Sequence, residues 1–229
     1  MVTITVGRLD GREPLIIERA ELVAEVFFRL DASARPGGYD EYIQTSHQVH
    51  DRIIKEDIDA LNRTMRARSK ADWWAEPIEK GPLDWLVALG RDRDALALDD
   101  ATWKTLGCSE ALAGAFRGIK GRYHGRAVAT KLLHLKRPAL VPVCDSFVEW
   151  QLGARASMDL AELVEYIRSQ GRRNLTALLA IHASLAGRGI HRTLVRVFDA
   201  LVWSTHPASE LASVPDLLRD CTAGGIISR

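Results

Sequence analysis

The chain has 229 residues, 47% of them apolar and 27% charged, with 31 Lys/Arg against 30 Asp/Glu. That composition excludes collagenous, disordered and membrane-spanning classes, and the length is ample for a core that needs no disulfide or metal. Three scattered cysteines (Cys108, Cys144, Cys221) without a CxxC pair or Cys/His cluster exclude a structural zinc site and suit a reducing cytoplasm.

From the start, the β-branched run 2–6 and Leu15–Ile17 predict a small hairpin around Leu9-Asp10-Gly11. Nothing in these first residues has the pattern of a signal peptide, so the chain reads as cytoplasmic, with no membrane contact. Leu22, Val23, Val26, Phe27 and Leu30 then recur at helical spacing, up to the breaker cluster Arg35-Pro36-Gly37-Gly38. Residues 38–54 fit no pattern. A helix over 56–68 follows, then short helices at 81–89 and 99–106. A helix over 109–117 leads into a glycine-bearing turn, and a second helix covers about 124–136 until Arg137-Pro138 stops it. Leu140, Val141 and Val143 form a short extended run, and Asp145 or Ser146 caps a helix that ends at Gly153. Helices at about 158–170, 173–187 and 191–204 complete the pattern, with Gly171 and Gly187/Gly189 at C-cap positions. Trp85, Trp103, Trp150 and Trp203 read as core. The fold class is mainly α: a compact helical array with at most a small N-terminal β-hairpin. It forms a single domain over 1–229, or two interlocked lobes at about 1–110 and 111–229.

The charge is segregated. Residues 1–110 carry 15 basic and 21 acidic side chains, and residues 111–229 carry 16 and 9. Windows 111–144 and 166–198 contain no acid, and the second holds Arg168, Arg172, Arg173, Arg188, Arg192 and Arg196. Two outcomes follow. Either the basic half presents a positive face to a phosphate-rich partner, or the acidic half folds over it and the charges pair internally.

Gly118 to Asp145 concentrates the chemistry. The turn Lys120-Gly121-Arg122-Tyr123-His124-Gly125-Arg126 offers backbone N–H groups, a helix N-terminus and three cations, a combination that holds phosphates. Lys131, Lys136 and Arg137, on or just after the next helix, extend the grip if they face solvent. Asp145 stands at a helix start, where it is a cap, a catalytic carboxylate, or both. Tyr39, Asp40, Trp73 and Trp74 are candidates to line a pocket for an extruded base, although large aromatics also fill cores. Cys144 beside Asp145 reads as core rather than as a nucleophile. Metal-ligand spacing is missing, so the expected metal set is none, as is the expected cofactor set.

This segment resembles the helix-hairpin-helix DNA glycosylase superfamily (HhH-GPD), in which a hairpin, a helix, an apolar run and a catalytic aspartate follow one another. Anchored on Pro138, Ile119 aligns with the family's hairpin leucine, Gly121 with its first glycine and Ala127 with its alanine. Tyr123 replaces the second glycine, Gly125 stands where bifunctional members keep a lysine, and Asp145 lies about two residues late, with Cys144 inserted. The resemblance covers roughly 35 residues. It implies a helix-hairpin-helix-like element that binds DNA, expected to be duplex, and a monofunctional enzyme that hydrolyses the N-glycosidic bond of a damaged base through Asp145. The alternative is a non-catalytic DNA-binding or interaction module of the same fold. An enzyme acting on a small phosphorylated substrate is a third class. The chain also resembles a bacterial protein family that combines Tyr39-Asp40, the Lys136-Arg137-Pro138 and Pro142-Val143-x-Asp145-Ser146 runs, and a late helix bearing Arg196, Asp199 and Trp203. That resemblance implies no activity.

Overall fold

The hairpin at the N-terminus pairs β1 (Ile4–Val6) antiparallel to β2 (Leu15–Ile17), with Ile4 opposite Ile17 and Val6 opposite Leu15. In this computed structural model, residues 1–34, 39–45, 51–65, 67, 69, 74–119 and 125–209 are described. Everything else regular among them is helical: α1 (Ala20–Ala34), α2 (Tyr39–Thr45), α3 (Lys55–Met65), α4 (Ala75–Lys80), α5 (Asp84–Ala88), α6 (Asp100–Thr105), α7 (Cys108–Ile119), α8 (Arg126–Lys136), α9 (Ser146–Leu152), α10 (Leu160–Arg173), α11 (Leu175–Gly187) and α12 (Leu194–Ser204). The mainly α class and the small hairpin are as the periodicity predicts.

Helix α12 is the spine. Every residue in it except Trp203 is buried, as expected of a helix surrounded by others. It packs against α1, α9, α10 and α11, while α8 lies on α3, and α7 contacts α5, α6 and α10. Thr193 caps α12 by accepting from the Arg196 amide, and its hydroxyl donates to the Pro138 carbonyl at 2.8 Å. That bond ties the spine to the stretch after α8.

Three departures from the sequence pattern have packing causes. Gly118 lies inside α7 because the Trp85 indole rests where a Cβ would stand. Gly171 is likewise internal to α10, beneath the Leu96 side chain, so the helix runs on to Arg173. Trp150 is not core: it is 47% exposed on the short helix α9.

The segregated charges meet one another. Arg137 bonds Asp51 at 2.7 Å, Arg168 bonds Asp100 at 2.7 Å, Arg188 bonds Glu21 at 2.8 Å, and Arg196 bonds Asp40 at 2.8 Å. Lys136 bonds Asp57. Each pair joins a base of the second half to an acid of the first, so for these residues internal pairing is the outcome.

Candidate functional site

The stretch from Pro138 to Asp145 has no regular structure, yet its residues from Leu140 to Cys144 are buried. Buried backbone groups must find partners, and here side chains supply them. His134 Nδ1 donates to the Val141 carbonyl at 2.6 Å, Asp199 accepts from the Val143 amide at 2.8 Å, and Thr130 Oγ1 accepts from the Cys144 amide at 3.1 Å. Helices α8 and α12 thus grip the run from both sides and deliver Asp145 at its end.

Asp145 caps α9. Its Oδ1 accepts from the amides of Phe147 and Val148 at 3.1 and 3.2 Å, and its Oδ2 accepts from the Trp203 indole at 3.2 Å. It is half-buried, with Glu149 and Arg126 paired close by at 2.6 Å. Arg126 also donates to the Met158 carbonyl. Around α9 lies an aromatic ladder. Phe147 stacks on His206 with centroids 3.9 Å apart and on Trp203 at 5.4 Å, and Trp150 meets His206 edge-on at 5.0 Å. The Arg12 and Arg8 guanidinium groups sit 4.8 and 5.7 Å from the Trp150 ring, within cation–π range, and Arg12 also pairs with Asp10.

The other end of α12 holds a buried ionic knot. Arg196 grips both oxygens of Asp40 at 2.8 and 3.0 Å and reaches Asp199 at 2.5 Å. Burial opposes ionisation of Asp40, but the Arg196 guanidinium outweighs it and keeps the carboxyl below its usual range. Asp199 has the opposite balance: burial dominates and pushes it up to about 7. Burial, with Arg196 nearby, takes His134 down to about 4, so the ring is neutral at pH 7 and, with Nδ1–H donating, carries its lone pair on Nε2. Burial also pushes the Cys144 thiol well up, which keeps it protonated and unreactive.

His134 and Asp199 pull stability in opposite directions on acidification. Between pH 6.5 and 4 the unfolded chain protonates His134 and the folded chain does not, so this residue withdraws about 3 kcal/mol as pH falls. Asp199 holds its proton in the fold up to about 7 and in the unfolded chain only near 4, so it adds stability over nearly the same window. His134→Gln should therefore gain stability relative to the native protein as pH falls from 6.5 to 4, measured by urea midpoints.

The residues singled out in the sequence divide sharply. Lys136 and Arg137 are not a surface grip. Lys136 is sealed against Asp57, and Arg137 donates to Asp51, the Leu86 carbonyl and the Lys136 carbonyl. His134, one turn from Lys131, is likewise buried, while Lys131 is half-buried. Trp74 is core, its indole donating to Ser69 Oγ at 2.5 Å. Asp40 is locked by Arg196 rather than open to a substrate. The side chain of Tyr39 lies outside the described residues, as do Trp73, Lys120, Gly121, Arg122 and Tyr123. Gly125 opens α8 without a side-chain cap. Asp40 and Asp145 are held by Arg196 and Trp203, seven residues or about 10 Å apart along α12. Asp51 and Asp57 lie some 80 residues before their partners, beyond the reach of local spacing.

Residues 20–206 match the profile of the family of unknown function DUF6308. The chain belongs to that family. No curated protein and no solved structure matches it. In this DUF6308 chain, Asp40, the Lys136–Pro138 run, Asp145, Arg196, Asp199 and Trp203 converge on α12 and the stretch before α9. Among the described residues, no group of His, Cys, Asp or Glu is arranged to hold a metal, and no helix is long and apolar enough to cross a membrane.

Proposed function

We propose that this DUF6308 protein binds nucleic acid through the α9 face that carries Trp150, as a helix-hairpin-helix-like module in which Asp145 is a helix cap. The observation that carries this reading is the exposed Trp150 ring flanked by the arginines Arg8 and Arg12. An exposed aromatic set among arginines is the pairing that stacks bases while neutralising phosphates. Arg155, three residues after α9, adds an exposed cation, and Lys120 and Arg122 belong to the sequence that leads into α8. The non-catalytic form is preferred because both Asp145 oxygens already accept hydrogen bonds that build α9 and anchor Trp203.

Anisotropy titrations with labelled duplex and single-stranded DNA test the reading. Binding should weaken linearly in log salt, and Trp150→Ala should lose about tenfold in affinity, as expected for one stacking contact. Absence of salt-dependent binding to either DNA at low salt overturns it. Release of free base from lesion-bearing duplexes, abolished in Asp145→Asn with binding retained, would establish the monofunctional glycosylase instead.

A further inference from the structure

At the opposite end of α12 from the Trp150 face, α2, α8, α11 and the loop into α12 enclose a partly open cleft of about 410 Å³. That size falls within the range of small-molecule sites. Its walls are apolar, with Ile43, Pro138, Leu179 and Leu194. Its floor is the Asp40–Arg196 pair together with His134, all three buried.

We propose that this cleft binds a small organic anion, a carboxylate or phosphate carried on an apolar body. The acids that line it are committed to the fold. Both Asp40 oxygens accept from Arg196, and Asp94 Oδ1 accepts from the Leu96 and Ala97 amides at 2.8 and 3.0 Å. Nearer the surface the polar lining is cationic or imidazole: Arg192, with Nε 3.8 Å from Asp40, and His182 and His191. An anionic head placed here meets the Arg192 guanidinium, whose Nη1 donates to the His191 carbonyl at 2.8 Å, together with the two imidazoles. Leu179, 50% exposed on α11, supplies at the rim the apolar surface that a head group alone would leave unused. The site stands independently of the nucleic-acid face, because it shares no lining residue with α9.

Calorimetric titration of the full chain with phenyl phosphate, hexanoate and, as a cationic control of similar size, hexylamine tests this. At least one anion should bind with Kd below about 1 mM and hexylamine should not. Whichever anion binds more tightly identifies the head group. His182→Ala removes an imidazole from a half-buried position, and Leu179→Trp places a bulky ring at the mouth from an exposed one, so both variants should unfold at the native temperature. Each should weaken anion binding by about tenfold, which corresponds to one hydrogen bond or apolar contact. DNA affinity should be unchanged in both. Failure of both anions to bind at millimolar concentration, equal binding of hexylamine, or undiminished binding in both folded variants overturns the proposal.

Discussion

Lys136→Met should destabilise the protein by about 3–5 kcal/mol, the usual cost of stripping one partner from a buried ion pair. Neither Lys136 nor Asp57 has any exposed side-chain surface. Burial lowers the Lys136 pKa, and the Asp57 carboxylate only partly restores it. Asp57 also accepts from the Tyr42 hydroxyl at 3.0 Å and the Ile54 amide at 2.8 Å, bonds that orient its charge towards α8. Methionine fills the lysine's volume, so the loss isolates the charge rather than a cavity. Adding Asp57→Asn to Lys136→Met should recover much of the stability, since the amide oxygen still accepts from Ile54, its NH2 can donate to the Tyr42 hydroxyl, and no ion is left behind. Urea midpoints for the two single variants and the double variant check this. A loss below about 1 kcal/mol in Lys136→Met would mean that Asp57 finds water.

The contrast with the sequence pattern is instructive. A Lys-Arg pair after a basic helix reads as surface, because charge seeks solvent unless a partner is known. The partners Asp51 and Asp57 stand more than 75 residues earlier, beyond any local periodicity. Local rules did reveal the β1–β2 pairing, the helix α1 and the Asp145 cap, since each depends on residues within a few positions of one another, but the α1 stripe included Leu30, which is exposed, and left out the buried Phe28. They placed Trp150 inside, because seven residues of α9 are too few to define a buried face. They made Gly118 and Gly171 turn residues, although each is a gap filled by a distant side chain, Trp85 or Leu96. The candidate site was legible as a list of residue types around Gly118–Asp145. Which of them face outward depends on the fold of the N-terminal half, and the sequence of the hairpin itself carries no such information.

Arg196→Met should have the second large effect, and its pH dependence is diagnostic. One guanidinium holds two carboxylates, Asp40 through Nε and Nη2 and Asp199 through Nη1. Without it, burial is opposed only by Arg192, 3.8 Å from Asp40, and by the Val143 amide on Asp199, and the loss at pH 7 should reach about 4 kcal/mol. Both folded-state pKa values then lie above their unfolded values near 4, so the folded state takes up protons that the unfolded state does not. The variant should therefore regain stability as pH falls from 7 towards 4. The native protein cannot follow over Asp40, whose carboxyl Arg196 holds below the usual range and whose contribution is lost on acidification. Arg196→Lys keeps the charge but offers no fork, and should fall between the two. Urea midpoints at pH 7 and pH 5 separate these outcomes. A variant that loses stability on acidification as the native protein does would mean that another cation has replaced Arg196. The consequence should also reach Asp145: Asp199 anchors the Val143 amide two residues before it, and Trp203 binds it from the same helix. Slackening the Arg196 knot should therefore shift tryptophan fluorescence and weaken DNA binding at the α9 face, although Arg196 is about 10 Å from Trp203 along α12.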